Sequence, residues 1–119
     1  MFLKQGIRLS GNFRQSIIIN NMDPAERESR MRSVVISRIG RELDQSEFLN
    51  HPQPMLILKN ALRDIEQYKL YMPDQGPLLQ QSKNWLNTLE EGSGDAYLME
   101  KLHSLILNIF INYRIANQV

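Results

Sequence analysis

Apolar residues recur at helical spacing along most of the chain. The first such stripe repeats every fourth residue and consists of Met31, Val35, Ile39 and Leu43. Side chains three or four residues apart lie on one side of an α-helix. The stretch begins with DPAE, in which an acid precedes a proline and a glutamate follows two residues later, as is typical of a helix N-terminus. We therefore predict a first helix over about residues 24–46.

Three more apolar stripes follow, separated by segments rich in proline and glycine. The breaks read NHPQP at 50–54, MPDQGP at 72–77 and EGSGD at 91–95. Proline disfavours helical geometry in the residue before it, and glycine and aspartate favour turns. The pattern predicts helices over about residues 54–71, 77–90 and 95–116. MPDQGP has the chemistry of a helix-to-helix corner, and a ligand-binding loop is the alternative.

The last predicted helix is apolar over more than half of its circumference. Its apolar residues are Leu98, Met99, Leu102, Leu105, Ile106, Ile109, Phe110, Tyr113 and Ile115. Such breadth indicates contact on two sides. This helix is either central in a bundle or also faces a second copy of the chain, so a homo-oligomer such as a dimer is possible.

Residues 1–22 leave two structures open. They contain Phe2, Leu3, Ile7, Leu9, Phe13 and three isoleucines at 17–19. Two short strands around the letters SGN, or a helix broken at Gly11, both fit this pattern, and we favour irregular or helical structure packed on the bundle. The predicted fold is an all-α antiparallel bundle of four to five helices, with an amino-terminal segment at 1–22 and the bundle at 23–119.

Composition narrows the class of protein. The chain has 119 residues, of which 42% are hydrophobic and 23% charged, which is ordinary for a folded domain. The net charge is +1. Cysteine is absent, so disulfides, zinc–thiolate sites and thiol nucleophiles are excluded. The most apolar segment, LHSLILNIFINY, has twelve residues, and a membrane span needs about twenty. We expect no transmembrane segment and a cytoplasmic location.

Reactive constellations are missing from the sequence. His51 and His103 are the two histidines, and neither has a metal-ligating residue at helical spacing. The letters GSGD lack the lysine of a phosphate-binding loop, and no serine stands in a nucleophile motif. We therefore expect no enzymatic activity, no metal and no cofactor.

Aromatic side chains suggest contact with a protein partner. The candidates are Trp85, Tyr97, Phe110 and Tyr113. Tryptophan and tyrosine often dominate the energy of protein interfaces, whereas the alternative is that these rings fill the edge of the core. We interpret the chain as a small non-enzymatic protein-binding module, such as an adaptor, a chaperone or an inhibitor, whose partner is a protein of unknown identity.

An arginine-rich helix face supports an alternative function. Arg27, Arg30, Arg38 and Arg41 lie opposite the first apolar stripe, where they would contact the phosphates of a nucleic acid. Acidic residues are interleaved with them, and exposed arginines are often paired and solvated. A nucleic-acid-binding regulator is therefore the second hypothesis.

One stretch resembles a known family. Residues 62–86, LRDIEQYKLYMPDQGPLLQQSKNWL, are similar to the middle of the immunity proteins of pediocin-like bacteriocins. In that family a helix ending in a Lys/Tyr-rich turn meets an Asp/Gly/Pro corner and then a Leu-rich helix with a central aromatic residue. The resemblance implies a cytoplasmic four-helix bundle that protects its producer by engaging a bacteriocin-bound membrane transporter, with recognition in the carboxy-terminal half. It assigns no individual functional residue.

Overall fold

The computed structural model describes residues 23–118. The chain divides into two units, Met1–Val35 and Ile36–Val119, and the boundary lies inside the first helix. The predicted amino-terminal segment at 1–22, with its choice between strands and helix, lies outside the described residues.

All regular structure in the described part of the chain is helical, which confirms the predicted all-α bundle. The elements are α1 (Pro24–Glu42), α2 (Gln45–Asn50), α3 (Pro54–Gln67), a 3-10 turn (Pro73–Gln75), α4 (Gly76–Glu90) and α5 (Ala96–Asn117). Helices α3, α4 and α5 pack on one another. Among residues 23–118, no helix has the length and apolarity that crossing a membrane requires.

Aspartates begin two of the longer helices, as the sequence predicts. The Glu26 backbone N–H donates to Asp23 Oδ1 at 2.9 Å, and the Leu98 N–H donates to Asp95 Oδ1 at 2.9 Å. Each bond satisfies a donor that the first turn of a helix leaves unpaired. The hydrogen bond from the Glu26 N–H lowers the pKa of Asp23 below its usual value, because it stabilises the ionised carboxylate.

The first predicted helix is two helices, which corrects its boundary. Helix α1 ends at Glu42, and α2 begins at Gln45 with Asp44 as its cap, which accepts from the Ser46 N–H at 3.2 Å. The letters DQSE at 44–47 repeat the Asp-to-Glu spacing of DPAE. They contain the signal for the start of a second helix, which the sequence prediction missed. The turn allows Phe48 to enter the core, where it is 4% exposed.

Helix α3 is also shorter than predicted, since it ends at Gln67 and not near residue 71. Lys69 adopts a left-handed conformation with φ of 55°, and the Leu70 N–H donates to the Ile65 carbonyl at 2.8 Å. This turn provides hydrogen-bond donors for the last carbonyls of the helix. Glycine is the usual residue at the left-handed position that Lys69 occupies. It buries Leu70 completely.

MPDQGP forms the corner that leads into α4. Its central residues make the 3-10 turn, and Gly76 follows with helical dihedral angles (φ −53°, ψ −44°) directly before Pro77. Proline disfavours helical geometry in a preceding residue that has a Cβ atom, so glycine suits this place. Helices α4 and α5 begin and end within about one residue of the predicted positions.

The core of residues 36–118 is built mainly from aliphatic side chains, together with two phenylalanines, Phe48 and Phe110. The large hydrophobic residues with no more than 1% exposure are Ile39, Leu43, Leu58, Ile65, Leu70, Leu102, Ile106, Ile109 and Phe110. Four of these nine come from α5, so this helix is central, as one of the two interpretations of its sequence proposed.

Two buried polar side chains in this unit, Asp64 and His103, have polar partners outside their own helices. Asp64, 4% exposed, pairs with Arg38 and also with Arg63, whose Nε lies 3.3 Å from Asp64 Oδ1. His103 Nε2 lies 2.8 Å from the Leu43 carbonyl oxygen, and the imidazole stacks on Phe48 with 4.2 Å between ring centroids. Because a carbonyl only accepts, the Nε2 atom carries the proton of this hydrogen bond. His103 thus joins α5 to the corner between α1 and α2.

Candidate protein-binding site

Two of the four aromatic candidates lie together at the amino-terminal end of α5. Lys101 Nζ is 5.0 Å from the centroid of the Trp85 ring and 5.5 Å from that of Tyr97. These distances allow cation–π attraction to both rings. Tyr97 is 70% exposed and Trp85 is half-buried, so the cluster presents aromatic surface to solvent.

The other two candidates lie elsewhere. Phe110 is 1% exposed and fills the core, which corrects its expected place at a binding surface. Tyr113 is half-buried and follows Tyr97 by sixteen residues on α5, a separation of about 24 Å along the helix. The four aromatic residues therefore do not form a single patch.

An apolar groove that the sequence analysis did not identify lies at the start of α3. We use the name apolar groove for the surface lined by Pro52, Pro54, Met55, Leu56, Leu89 and Met99. It is open to solvent, has a volume of about 680 Å³, and exposes 46% of Leu56. This volume is within the range of ligand pockets, and the lining is mostly hydrophobic, as in such pockets.

Three local features position the groove. Pro54 begins α3 and places Met55 and Leu56 in its first turn. Asp95 caps α5 and places Met99 one turn further along. Gly94 lets the corner between α4 and α5 close on Leu89, because a Cβ atom at Gly94 would lie 2.5 Å from Leu89 Cδ2. Any larger residue at this position would displace the leucine that lines the groove.

The rim of the groove carries an ion pair. Lys59 Nζ lies 3.1 Å from Glu90 Oε2, and the two side chains are 60% and 38% exposed. Exposed pairs contribute about 0–1 kcal/mol, so this pair adds little stability. It places one positive and one negative charge beside an apolar surface, the arrangement of a polar rim around a hydrophobic contact area.

Sequence reasoning missed the groove because Met55 and Leu56 lie off the buried stripe of α3. The stripe consists of Ile57, Leu58, Ala61, Leu62 and Ile65, which are all buried. An apolar pair outside the stripe was the available signal. A groove that also requires Leu89 and Met99 from two other helices becomes visible only in the fold.

The four arginine candidates have different surroundings. Arg38 pairs with buried Asp64, so its guanidinium group already holds the fold together. Arg30 lines a depression with Glu26, and Arg41 lines another with Arg114 and three acids, Glu42, Asp44 and Glu47. Mixed charge of this kind does not favour a polyanion. Arg27 is exposed and belongs to the unit that ends at Val35.

The remaining candidates for chemistry are the histidines. His51 is exposed, and its Nδ1 accepts from the Gln53 N–H at 2.9 Å, whereas His103 is buried in the joint described above. Within residues 23–118, no three side chains of the metal-ligating types come together as a metal site.

Comparison of the chain with protein-family models, with curated proteins and with solved structures found no match.

Proposed function

We propose that the protein is a small non-enzymatic protein-binding module that acts in the cytoplasm and holds an apolar segment of a partner protein in the apolar groove. The observation that carries the proposal is the exposure of Leu56 in a concave surface that also contains Met55, Leu89 and Met99. Burying apolar surface contributes about 25 cal/mol per Å², so covering these side chains favours binding.

The composition of the groove suits a peptide. Methionine is flexible and polarizable, and methionine-rich surfaces adapt to varied apolar partners. Amphipathic helices bind such grooves through apolar residues spaced three and four positions apart. The charges of Lys59 and Glu90 at the rim suit a partner that carries both polar and apolar residues. The roles that follow are those of an adaptor, a chaperone or an inhibitor.

A bacteriocin-immunity role is one specific form of this proposal. Its support is the resemblance of residues 62–86, which comprise the end of α3, the 3-10 corner and most of α4. In that form the partner is the bacteriocin-bound membrane transporter. Expression of the chain in a bacteriocin-sensitive strain tests this role, and unchanged sensitivity to a panel of pediocin-like peptides would reject it while leaving the groove proposal standing.

The principal experiment captures partners from the source cell with three immobilised proteins. They are the wild type, Leu56→Glu in the groove, and Leu49→Glu as the matched control, since Leu49 is 61% exposed and does not line the groove. A charge in the groove must be desolvated when the partner covers it. We expect a partner that the wild type and Leu49→Glu retain and that Leu56→Glu loses.

Retention of the same proteins by all three would contradict the proposal. Thermal unfolding of each variant is measured alongside, because both substitutions replace exposed side chains and are expected to leave stability within about 0.5 kcal/mol of the wild type.

A further inference from the structure

The outward side of α5 presents a second, separate surface. We define the α5 outer face as the exposed residues Tyr97, Lys101, Ser104, Asn108, Ile111 and Ile115. Their spacings are four, three, four, three and four residues, which is the alternation of a coiled-coil seam. All of them belong to the unit that begins at Ile36.

Chemistry varies along this face in a regular way. Large apolar side chains occupy both ends, where Tyr97 is 70% exposed, Ile111 40% and Ile115 71%. Ser104 and Asn108, both small and polar, occupy the middle. A buried asparagine in a helix pair fixes register and orientation, because its amide needs a partner from the other helix.

We propose that the α5 outer face binds the same face of a second copy of the chain, with the two helices antiparallel. Placing the two-fold axis beside residue 106 brings Tyr97 to Ile115 of the partner subunit, and Lys101 to Ile111 of the partner subunit. The same register brings Ser104 to Asn108 of the partner subunit, where a hydroxyl and an amide form hydrogen bonds. The apolar ends and the polar middle of the face thus meet their counterparts, while Lys101 packs its aliphatic stem on Ile111 of the partner subunit and keeps its ammonium group in water.

The flanking charges favour the antiparallel orientation. Glu100 and Arg114 are exposed residues that border the face on the same side, one near each end. In the antiparallel pair, Glu100 comes beside Arg114 of the partner subunit, and opposite charges at such positions set orientation. Within its own chain Arg114 lies over the Phe110 ring, 5.7 Å from the ring centroid, and its Nη1 atom faces Gly40, so pairing with Glu100 requires the Arg114 side chain to turn toward the partner subunit. In a parallel pair, Glu100 would instead lie beside the apolar Leu105 of the partner subunit.

The size of the face predicts a weak dimer. Residues 97 and 115 are eighteen positions apart, which is about 27 Å of helix, and a helix is about 10 Å wide. The footprint is therefore about 270 Å² per chain, well below the roughly 800 Å² per partner of stable complexes. We expect a dissociation constant in the range of about 10–1,000 μM.

Sedimentation measurements over a broad concentration range test whether the dimer forms. The wild type should shift from monomer toward dimer mass as its concentration rises. Ile115→Asp should weaken association by about tenfold or more, because the added carboxylate must be desolvated in the interface. Leu49→Asp is the matched control and should associate like the wild type, since Leu49 is an exposed leucine on α2. A wild type that stays monomeric throughout, or equal association of all three proteins, would overturn the proposal.

Cysteine crosslinking tests the orientation of the two helices. Because the chain contains no natural cysteine, only the introduced cysteines can form disulfides. Under reversible oxidation, a mixture of the Tyr97→Cys and Ile115→Cys variants should form mainly the mixed disulfide, because the antiparallel register brings these positions together. Predominant pairing of Tyr97→Cys with itself would indicate a parallel arrangement and overturn the proposal. A statistical mixture of the three disulfides would overturn it as well. Loss of the groove partner with Leu56→Glu is independent of this result, so the two proposals fail separately.

Discussion

Asp64 and Leu56 are eight residues apart on α3, and each lies in surroundings opposite to its chemistry. The carboxylate of Asp64 is inside, where the residue is 4% exposed, whereas the isobutyl group of Leu56 is 46% exposed in the apolar groove. Arg38 and Arg63 both contact Asp64, so the cost of burying its charge is offset within the chain. Leu56 remains available to an apolar partner.

The difference separates structural residues from candidate binding residues. A buried polar group with several partners fixes how helices pack, as Asp64 does between α1 and α3 and His103 does at the corner of α1 and α2. An exposed apolar group in a concave surface contributes little to folding. The contrast therefore predicts that substitutions inside change stability, and that substitutions in the groove change binding.

The largest effect is expected in the core. Phe110→Ala should reduce the free energy of unfolding by about 3–5 kcal/mol, because it removes a buried ring and leaves a cavity. Tyr97→Ala is the matched aromatic control and should change stability by less than about 0.5–1 kcal/mol, since Tyr97 is 70% exposed. Urea unfolding monitored by circular dichroism measures both, and equal losses would show that Phe110 is not a core residue.

A smaller loss is expected at the buried carboxylate. Arg38→Met keeps most of the aliphatic stem but removes the charge opposite Asp64, and should cost about 2 kcal/mol. This figure is at the low side for a buried pair because the Arg38 side chain is 38% exposed. Arg63→Met is the control and should cost under about 1 kcal/mol, because Arg63 is 61% exposed. A larger loss for Arg63→Met in urea unfolding would reverse the assignment of the principal partner.

Substitutions in the apolar groove test the other half of the contrast, in which binding changes and stability does not. Met99→Gln should leave stability within about 1 kcal/mol of the wild type, because Met99 is half-buried and glutamine has a similar length. It should weaken partner capture, because its amide must lose water when the groove is covered. Unchanged capture, measured beside Leu56→Glu, would restrict the binding surface to the α3 side of the groove.

The smallest effect concerns pH at the start of α1. The folded-state pKa of Asp23 is lowered by its bond from the Glu26 N–H, so its contribution to stability is present above the unfolded pKa and lost as pH falls through the folded value. We expect the amide signals of the first turn to lose protection from hydrogen exchange in that acidic range. Asp23→Ala should show the loss at neutral pH and little further change on acidification.

The sequence predicts the helices well where a stripe and a cap agree. Asp95 caps α5 and Pro77 lies in the first turn of α4, at places that the residue pattern indicates. The break between α1 and α2 was missed because no proline or glycine follows the apolar stripe between Leu43 and residue 46. Burial of Phe48 against His103, a contact between residues far apart in sequence, determines that turn.

The end of α3 shows a different limit of prediction from the sequence. Lys69 takes the left-handed conformation that a glycine would signal, and the burial of Leu70 stabilises it. Among the proposed binding residues, the closeness of Trp85 and Tyr97 depends on how α4 and α5 pack, and Lys101 between them was not anticipated. A surface that several helices build together can be predicted only once the fold is known, whereas a single helix can be predicted from the local residue pattern.

Methyl NMR on methionine-labelled protein tests the central claim most directly. The chain has six methionines, and two of them, Met55 and Met99, line the apolar groove. The probe is an amphipathic helical peptide selected from a displayed library for binding to the wild type and counter-selected against Leu56→Glu. On titration, the Met55 and Met99 signals should shift together while those of Met31 and Met72 stay in place. Binding that shifts Met31 or Met72 and leaves both groove methyls unchanged would contradict the account.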